Sequence, residues 1–274
     1  MKAINAFIYG YKAEKLLDNV VSFIDQESGK NNIFYYVFDQ SNTDKSISFN
    51  KLKNVFYRHV SWDDTKGIPY YRKHILFNQT AKYFLELSSS VSLSKNWDSV
   101  LIDSLLPNTI ISGNYLKNIN ISGSSITFNK ETIDVMSESN FIDTDLLFLK
   151  QSDSIFLNQL QYLKKDGQNL FGSIISMNRG MNIFSMSSSF YSVKSYDSDI
   201  LYYPYSKTHG YNKMIDIVNN LNNDRFEKFH GIKVSDIPKL PYQIDDVLYH
   251  DAVTSIDQNA STKFHVGYNR IQVL

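Results

Sequence analysis

Ile33 to Phe38 reads IFYYVF, an apolar run without alternation, closed by Asp39-Gln40-Ser41-Asn42. A strand with one wet face alternates apolar and polar residues, so a continuous run predicts a strand covered on both faces, as in a parallel sheet. The flanking segments support this. Ala3 to Gly10 (AINAFIYG) reads as a first strand, and Ala13 to Gln26 places Leu16, Leu17, Val20, Val21 and Ile24 on one helical face. Further on, Val55 to Val60, Pro69 to Lys82 and Tyr83 to Leu87 continue as strand, helix and strand. Strands alternating with helices predict an α/β fold: a Rossmann-like, mostly parallel sheet with helices on both faces, whose ligands bind beyond the carboxyl ends of the strands. The second strand delivers Asp39 to that edge.

The middle of the chain is less regular. Ile110 to Ile121 and Ser125 to Phe128 read as strands with Gly113 and Gly123 at turns, Asp145 to Leu149 as a buried run, and Ser154 to Lys164 as a helix. Tyr211 to Phe229 has helical spacing, weakened by Asn219-Asn220-Leu221-Asn222-Asn223 and stopped by Gly231. Pro238 and Pro241 make Ile232 to Val247 an extended arm. These features divide the chain into a domain over 1–205 and a C-terminal helix and arm over 206–274.

Several function classes lose support at once. With 28 basic and 28 acidic residues the net charge is zero, so no global field recruits nucleic acid or an anionic membrane. The absence of cysteine excludes disulfides, thiolate zinc sites and a cysteine nucleophile. No long apolar stretch marks a membrane span or leader, so the expectation is a soluble, unprocessed chain of open localisation. Gly-x-Gly-x-x-Gly, Walker, Gly-x-Ser-x-Gly and kinase signatures are missing, and His59, His74, His209, His230, His250 and His265 show no ligand spacing.

The most informative window is Asp63 to Leu101, DDTKGIPYYRKHILFNQTAKYFLELSSSVSLSKNWDSVL: loop, helix, strand, Ser-rich turn and a second helix opened by Trp97-Asp98. This order resembles the retaining, hydroxyproline-type N-acetylglucosaminyltransferases of glycosyltransferase family 60. In that family a Gly-Pro-x-x-Ala-Arg helix leads to a strand ending in Asp-x-His and then to Trp-Asp. Gly67, Tyr70 and Arg72 match the first motif, with Ile68 and Tyr71 in place of Pro and Ala; Trp97, Asp98, Leu101 and Ile102 match the last. The resemblance covers residues 3 to about 200 and implies a GT-A-like fold, a UDP-sugar donor and, in an active enzyme, Mn²⁺ or Mg²⁺ held by the strand-end motif.

At the implied metal positions this chain has Ser88 and Ser90. Neutral hydroxyls bring a weak dipole and no charge to a hard dication. Glu86, two residues upstream, shares their sheet face one pleat deeper. A second departure is Phe171-Gly172-Ser173-Ile174, matched to the family's Gly-Glu-Glu segment before a helix; Arg179 to Ser185 supports the register. A family histidine just beyond falls among Ser187-Ser188-Ser189-Phe190-Tyr191.

The site candidates are therefore Asp39 and Arg72 for a nucleotide-sugar cleft and Ser88 and Ser90 as a degenerate metal motif, with no metal ligand and no catalytic residue assigned. Each has a plainer reading. Asp39 either holds ribose or base or forms the turn after its strand. Arg72 either meets a diphosphate or pairs with Asp63 or Asp98 in the scaffold. Asp98 is expected to cap its helix, and Asp63-Asp64 and Asp245-Asp246 to be turn and arm residues. The expectation is a glycosyltransferase-like protein that has lost metal-dependent transfer and serves, without cofactor, as a structural or binding component among other protein chains. Glycan or nucleotide sugar is the small-ligand class, with no membrane or nucleic acid. The Asn- and Ser-rich composition, 26 and 34 residues, reads as an AT-rich genome and gives this a specific version, a phage virion. The alternative is an active transferase moving a sugar from a UDP-sugar to a protein or glycan.

Overall fold

The computed structural model describes residues 2–11, 15–41, 43–61, 68–77, 80–122, 125–160, 163, 165–193, 208–239 and 265–266. The chain opens with β1 (Ala3–Tyr11), α1 (Leu16–Asp25), β2 (Asn32–Gln40), the single turn α2 (Ser46–Phe49), β3 (Val55–His59), α3 (Ile68–Leu76) and β4 (Tyr83–Ser88). There follow β5 (Val91–Leu93), α4 (Trp97–Ser104), β6 (Thr109–Ser112), β7 (Tyr115–Ser122), β8 (Ser125–Glu131), β9 (Ser137–Glu138) and β10 (Leu146–Lys150). A 3₁₀ helix (Gln151–Leu160) leads to α5 (Lys165–Asn178), β11 (Asn182–Ser185), β12 (Tyr191–Val193), α6 (Thr208–Asn219), α7 (Asp224–His230) and β13 (His265–Val266).

Among the described residues the main sheet has nine strands in the order β13-β3-β2-β1-β4-β10-β6-β11-β9. β3, β2, β1 and β4 are mutually parallel, and β10 enters antiparallel between β4 and β6. The two expected strands flank β1, as the α/β reading requires, with Phe7 facing Tyr36 on one side and Glu86 on the other.

The strands alternate between two cores, which explains their unbroken apolar runs. Phe7, Tyr9, Tyr36, Phe38 and Phe84 join one core with α3, α5, α6 and α7; Ile4, Ala6, Ile8, Tyr35, Val37, Leu85 and Leu87 join the other with α1 and α4. At about 25 cal/mol per Å² of apolar surface, each fully buried Leu, Ile or Phe contributes roughly 1.5–3 kcal/mol before entropy is counted. Trp97 anchors the second core, fully buried, with its indole Nε1 donating to Phe23 O at 2.9 Å.

The Ile110–Ile121 run divides into β6 and β7 at Gly113, the expected turn, where a Cβ would lie 2.8 Å from the Tyr191 hydroxyl. Other elements differ from expectation. The stretch after β10 is 3₁₀ rather than α and starts earlier than expected. The Tyr211–Phe229 helix breaks into α6 and α7 at residues 220–223, where the Asn223 side chain donates to Val218 O and competes with helical hydrogen bonds. α6 and α7 bury Tyr211, Met214, Ile215, Val218 and Phe226 in the same core as α5. The boundary expected near residue 206, Asp63-Asp64 and the second half of the expected arm, including Pro241 and Asp245-Asp246, lie outside the described residues; the first half is not a free extended arm but holds a 3₁₀ turn, Val234–Asp236, and buries Val234 and Ile237 in the core beside α6 and α7.

Candidate functional site

The sheet brings the carboxyl ends of its parallel strands to one edge. Ser88 of β4 and Phe38 of β2 both face Tyr9 of β1, and one residue further Asp39 faces Gly10 and His59. Because β10 is antiparallel, its beginning arrives at the same edge: Leu146 faces Leu87 and Leu147 faces Ser112. Asp39, Ser88, Ser112 and the Asp143-Thr144-Asp145 segment therefore share one rim.

Asp39 is fully buried. Its Oδ1 accepts the Ser41 N–H at 2.9 Å, forming a turn; its Oδ2 accepts the Tyr57 hydroxyl at 2.8 Å and lies 3.5 Å from Lys45 Nζ. Burial, with the nearby Asp39 charge adding to it, pushes the Tyr57 phenol well above its ordinary range, so it stays a donor. His59 Nε2 lies 2.7 Å from Ser41 O and closes the turn. Both carboxylate oxygens are engaged by the scaffold.

Arg72 does not reach an open cleft. It is fully buried in α3, and its partner among the described residues is Glu86 rather than Asp98, at 3.1 and 3.0 Å from Nη1 to the two carboxylate oxygens. Nη1 also donates to Gln168 Oε1 at 3.0 Å, and Nη2 to Leu157 O at 2.9 Å. Glu86 lies inward on β4 on the core face of α3, so Arg72 is the cation that makes its burial tolerable. Burial pushes the Glu86 carboxyl upward and the Arg72 guanidinium pulls it back. Asp98 likewise differs from expectation. Asn96 occupies the cap position of α4, while buried Asp98 accepts from Ser28 N at 2.7 Å, Ser28 Oγ at 2.6 Å and Asn31 Nδ2 at 2.8 Å. It fastens the α1–β2 loop.

The implied Gly-Glu-Glu segment does not precede a helix here. Gly172 and Ser173 lie inside α5, where Gly172 allows close packing on Leu160 and Ser173 Oγ donates to Asn169 O while accepting from Ile142 N. The glycine at the helix start is Gly167, followed by Gln168 and Asn169. Both amides are buried: Gln168 accepts from Arg72, and Asn169 Oδ1 accepts from the Thr144 N–H and hydroxyl at 3.1 Å each.

The Ser88-Ser89-Ser90 turn is held from every side. Ser88 N donates to Asp145 O at 2.9 Å, Ser89 N to Tyr9 O at 2.8 Å, and Asn19 Nδ2 to Ser89 O at 2.5 Å. The hydroxyls of Ser88 and Ser90 bond to each other at 2.8 Å. Beside them stands a group the sequence reading missed. Asp143 and Asp145 are buried, and Lys165, the first residue of α5, forms an ion pair with Asp145 and lies 3.7 Å from Asp143 Oδ1. Asp143 also accepts Asn114 N at 3.1 Å and Asn114 Nδ2 at 2.5 Å. Burial would raise both carboxyls; Lys165, Lys130 and Asn114 outweigh it and hold Asp143 below its usual range, whereas burial and the Asp143 charge push Asp145 upward. In sequence, Asp145 only opens the apolar run to Leu149, and nothing there links it to Asp143 or Lys165.

The sequence profile of the family described as Glycosyltransferase (GlcNAc) matches residues 13–191. The chain belongs to that family. No curated protein matches its sequence. The fold of this GlcNAc glycosyltransferase-family chain is similar to that of S. aureus TarS 1–349, solved in complex with UDP-GlcNAc, with TM-score 0.56 and 12% identity over 83% of this chain and 69% of TarS 1–349. It is also similar to GalNAc-T7, solved with UDP, GalNAc and Mn²⁺, with TM-score 0.56 and 12% identity over 93% of this chain and 54% of that one. The chain therefore spans about half of the GalNAc-T7 chain. At this identity the likeness is one of fold: a mixed, mostly parallel GT-A sheet with flanking helices.

The residues at the β4 end do not fit a divalent ion of the kind present with GalNAc-T7. Hard dications take carboxylate-rich oxygen sets, but here the strand-end groups are two hydroxyls bonded to each other, and the nearest acids already face Lys165. Among the described residues no three His, Asp or Glu side chains converge as a metal site.

Proposed function

We propose that this GlcNAc glycosyltransferase-family domain does not carry out metal-dependent sugar transfer and serves as a binding component of a larger protein assembly, with glycan or nucleotide sugar as its small-ligand class. One observation carries the reading. The buried carboxylates described at or just beneath the strand-end rim are committed to the scaffold: Asp39 to Tyr57 and Ser41, Glu86 to Arg72, Asp143 and Asp145 to Lys165. With the strand-end pair replaced by hydroxyls and the Gly-Glu-Glu positions by Ser173 and Ile174, the rim offers no free acid among the described residues for metal or acid–base chemistry. The finer placement in the hydroxyproline-type family 60 rests on Gly67, Arg72 and Trp97-Asp98. A phage virion, from the composition, is the specific assembly proposed.

The second reading, an active UDP-GlcNAc transferase, is favoured by the profile match over 13–191. Incubation with radiolabelled UDP-GlcNAc and Mn²⁺, scored for UDP release with and without glycan or peptide acceptors, separates the two. No release above the protein-free rate is expected. Release that needs Mn²⁺ overturns the proposal.

A further inference from the structure

A lysine in the first turn of a helix is electrostatically misplaced, because the helix N-terminus already carries partial positive charge. Lys165 stands there, and its ammonium is directed at two buried carboxylates rather than at solvent. Those carboxylates cannot share a buried rim as bare anions: burial and mutual repulsion both oppose it. Their other acceptor capacity is partly used, since Asp143 Oδ1 accepts the Asp145 N–H at 3.2 Å and Oδ2 accepts Asn114. One oxygen from each acid faces the same ammonium. Asp145 O in turn receives the Ser88 N–H, so this charge centre lies one strand over from the Ser88-Ser90 turn.

We propose that the Lys165 ammonium is a built-in cation for Asp143 and Asp145, doing for this pair what a bound divalent ion does for carboxylates, so that the sheet edge assembles without metal. The inference rests on the reading that the β4 end holds no divalent ion, but it concerns the assembly of the rim and not sugar transfer. Conversely, a cation position is latent beneath the lysine: with the ammonium removed, the two facing oxygens and entering water form a set that Mn²⁺ or Mg²⁺ can occupy.

Thermal unfolding of the full chain, without nucleotide, in EDTA and in millimolar Mn²⁺ or Mg²⁺, tests this. The wild-type midpoint is expected to be the same in all three. Lys165→Met is expected to lower the EDTA midpoint by roughly 5–10 °C, and Lys165→Arg by much less. Mn²⁺ should recover several degrees for Lys165→Met alone. Should that variant fail to fold, the double variant Lys165→Met, Asp145→Asn carries the test, because removing one anion with the cation must restore a folded chain. A metal-dependent rise in the wild type, an unchanged Lys165→Met, no recovery by Mn²⁺, or a double variant no more stable than the single one each overturns the proposal. Metal-independent UDP release would instead count against the proposed function and leave this inference standing.

Discussion

Replacing Arg72 by Met keeps most of the apolar stem and removes the guanidinium, which strands three acceptors: the Glu86 carboxylate, Gln168 Oε1 and Leu157 O. Removing one partner of a buried ion pair costs about 3–5 kcal/mol, and each stranded neutral acceptor about 1–3 kcal/mol unless it finds another donor. Gln168 is buried with its Nε2 held by Leu163 O, but Glu86 can take up a proton, so the contributions do not simply add. A loss of about 4 kcal/mol is expected, or roughly 10 °C in midpoint for a chain of this size. Equilibrium urea unfolding followed by tryptophan emission measures it, since Trp97 is fully buried. The deficit should depend on pH with a definite sign. Glu86 already has a raised folded pKa, and losing Arg72 raises it further, so the variant is least impaired below about pH 4.5 and loses stability as pH rises through the folded pKa. Arg72→Met combined with Glu86→Leu should return to within about 1 kcal/mol of wild type, because apolar replacement of a whole buried pair is close to neutral. A loss under about 1 kcal/mol for the single variant, accompanied by weaker nucleotide-sugar binding, would refute the reasoning and place Arg72 in a ligand site.

Asp98→Asn should cost about 1–3 kcal/mol at neutral pH through its bonds to Ser28 and Asn31; although burial opposes it, those bonds hold its carboxyl below the usual range, so the difference from wild type should vanish as pH falls below about 4 in urea titrations. Burial against Phe141 and Phe226 lowers His230 to about 4. Wild type should therefore lose about 2 kcal/mol between pH 6.5 and 4, while His230→Phe should not show this loss in midpoint-versus-pH curves. Gly113→Ala sets a Cβ 2.8 Å from the Tyr191 hydroxyl and should destabilise by about 1–3 kcal/mol in the same assay.

The parallel half of the fold was legible because its physics is local. Strands with both faces buried lose their alternation, so Ile33–Phe38 and Tyr83–Leu87 announce themselves and the sheet places them beside β1. The antiparallel entry of β10 was not legible, since an apolar run carries no direction. The turn at Gly113 was legible from the glycine itself, but its packing against Tyr191 and Asp143 was not, because those neighbours are distant in sequence. At the rim, the positions of Asp39, Ser88 and Ser90 followed from strand ends, but what those side chains do did not. Arg72 finds Glu86 and Gln168 across α3, β4 and α5, and Lys165 reaches back to Asp143 and Asp145. Only the apposition of β10 and α5 makes these pairs visible. The helix expected to follow Phe171-Gly172-Ser173-Ile174 starts earlier, at Lys165, and no residue of that stretch announces the start in sequence.

The central claim, a GlcNAc glycosyltransferase-family fold whose rim works without a divalent ion, is tested most directly by the unfolding midpoint of the full chain with UDP-GlcNAc and Mn²⁺, added separately and together. A ligand that binds only the folded state must raise the midpoint in proportion to its saturation. The account predicts that Mn²⁺ alone changes nothing and that any rise caused by UDP-GlcNAc is the same in Mn²⁺ and in EDTA. A rise that requires nucleotide sugar and Mn²⁺ together would contradict it.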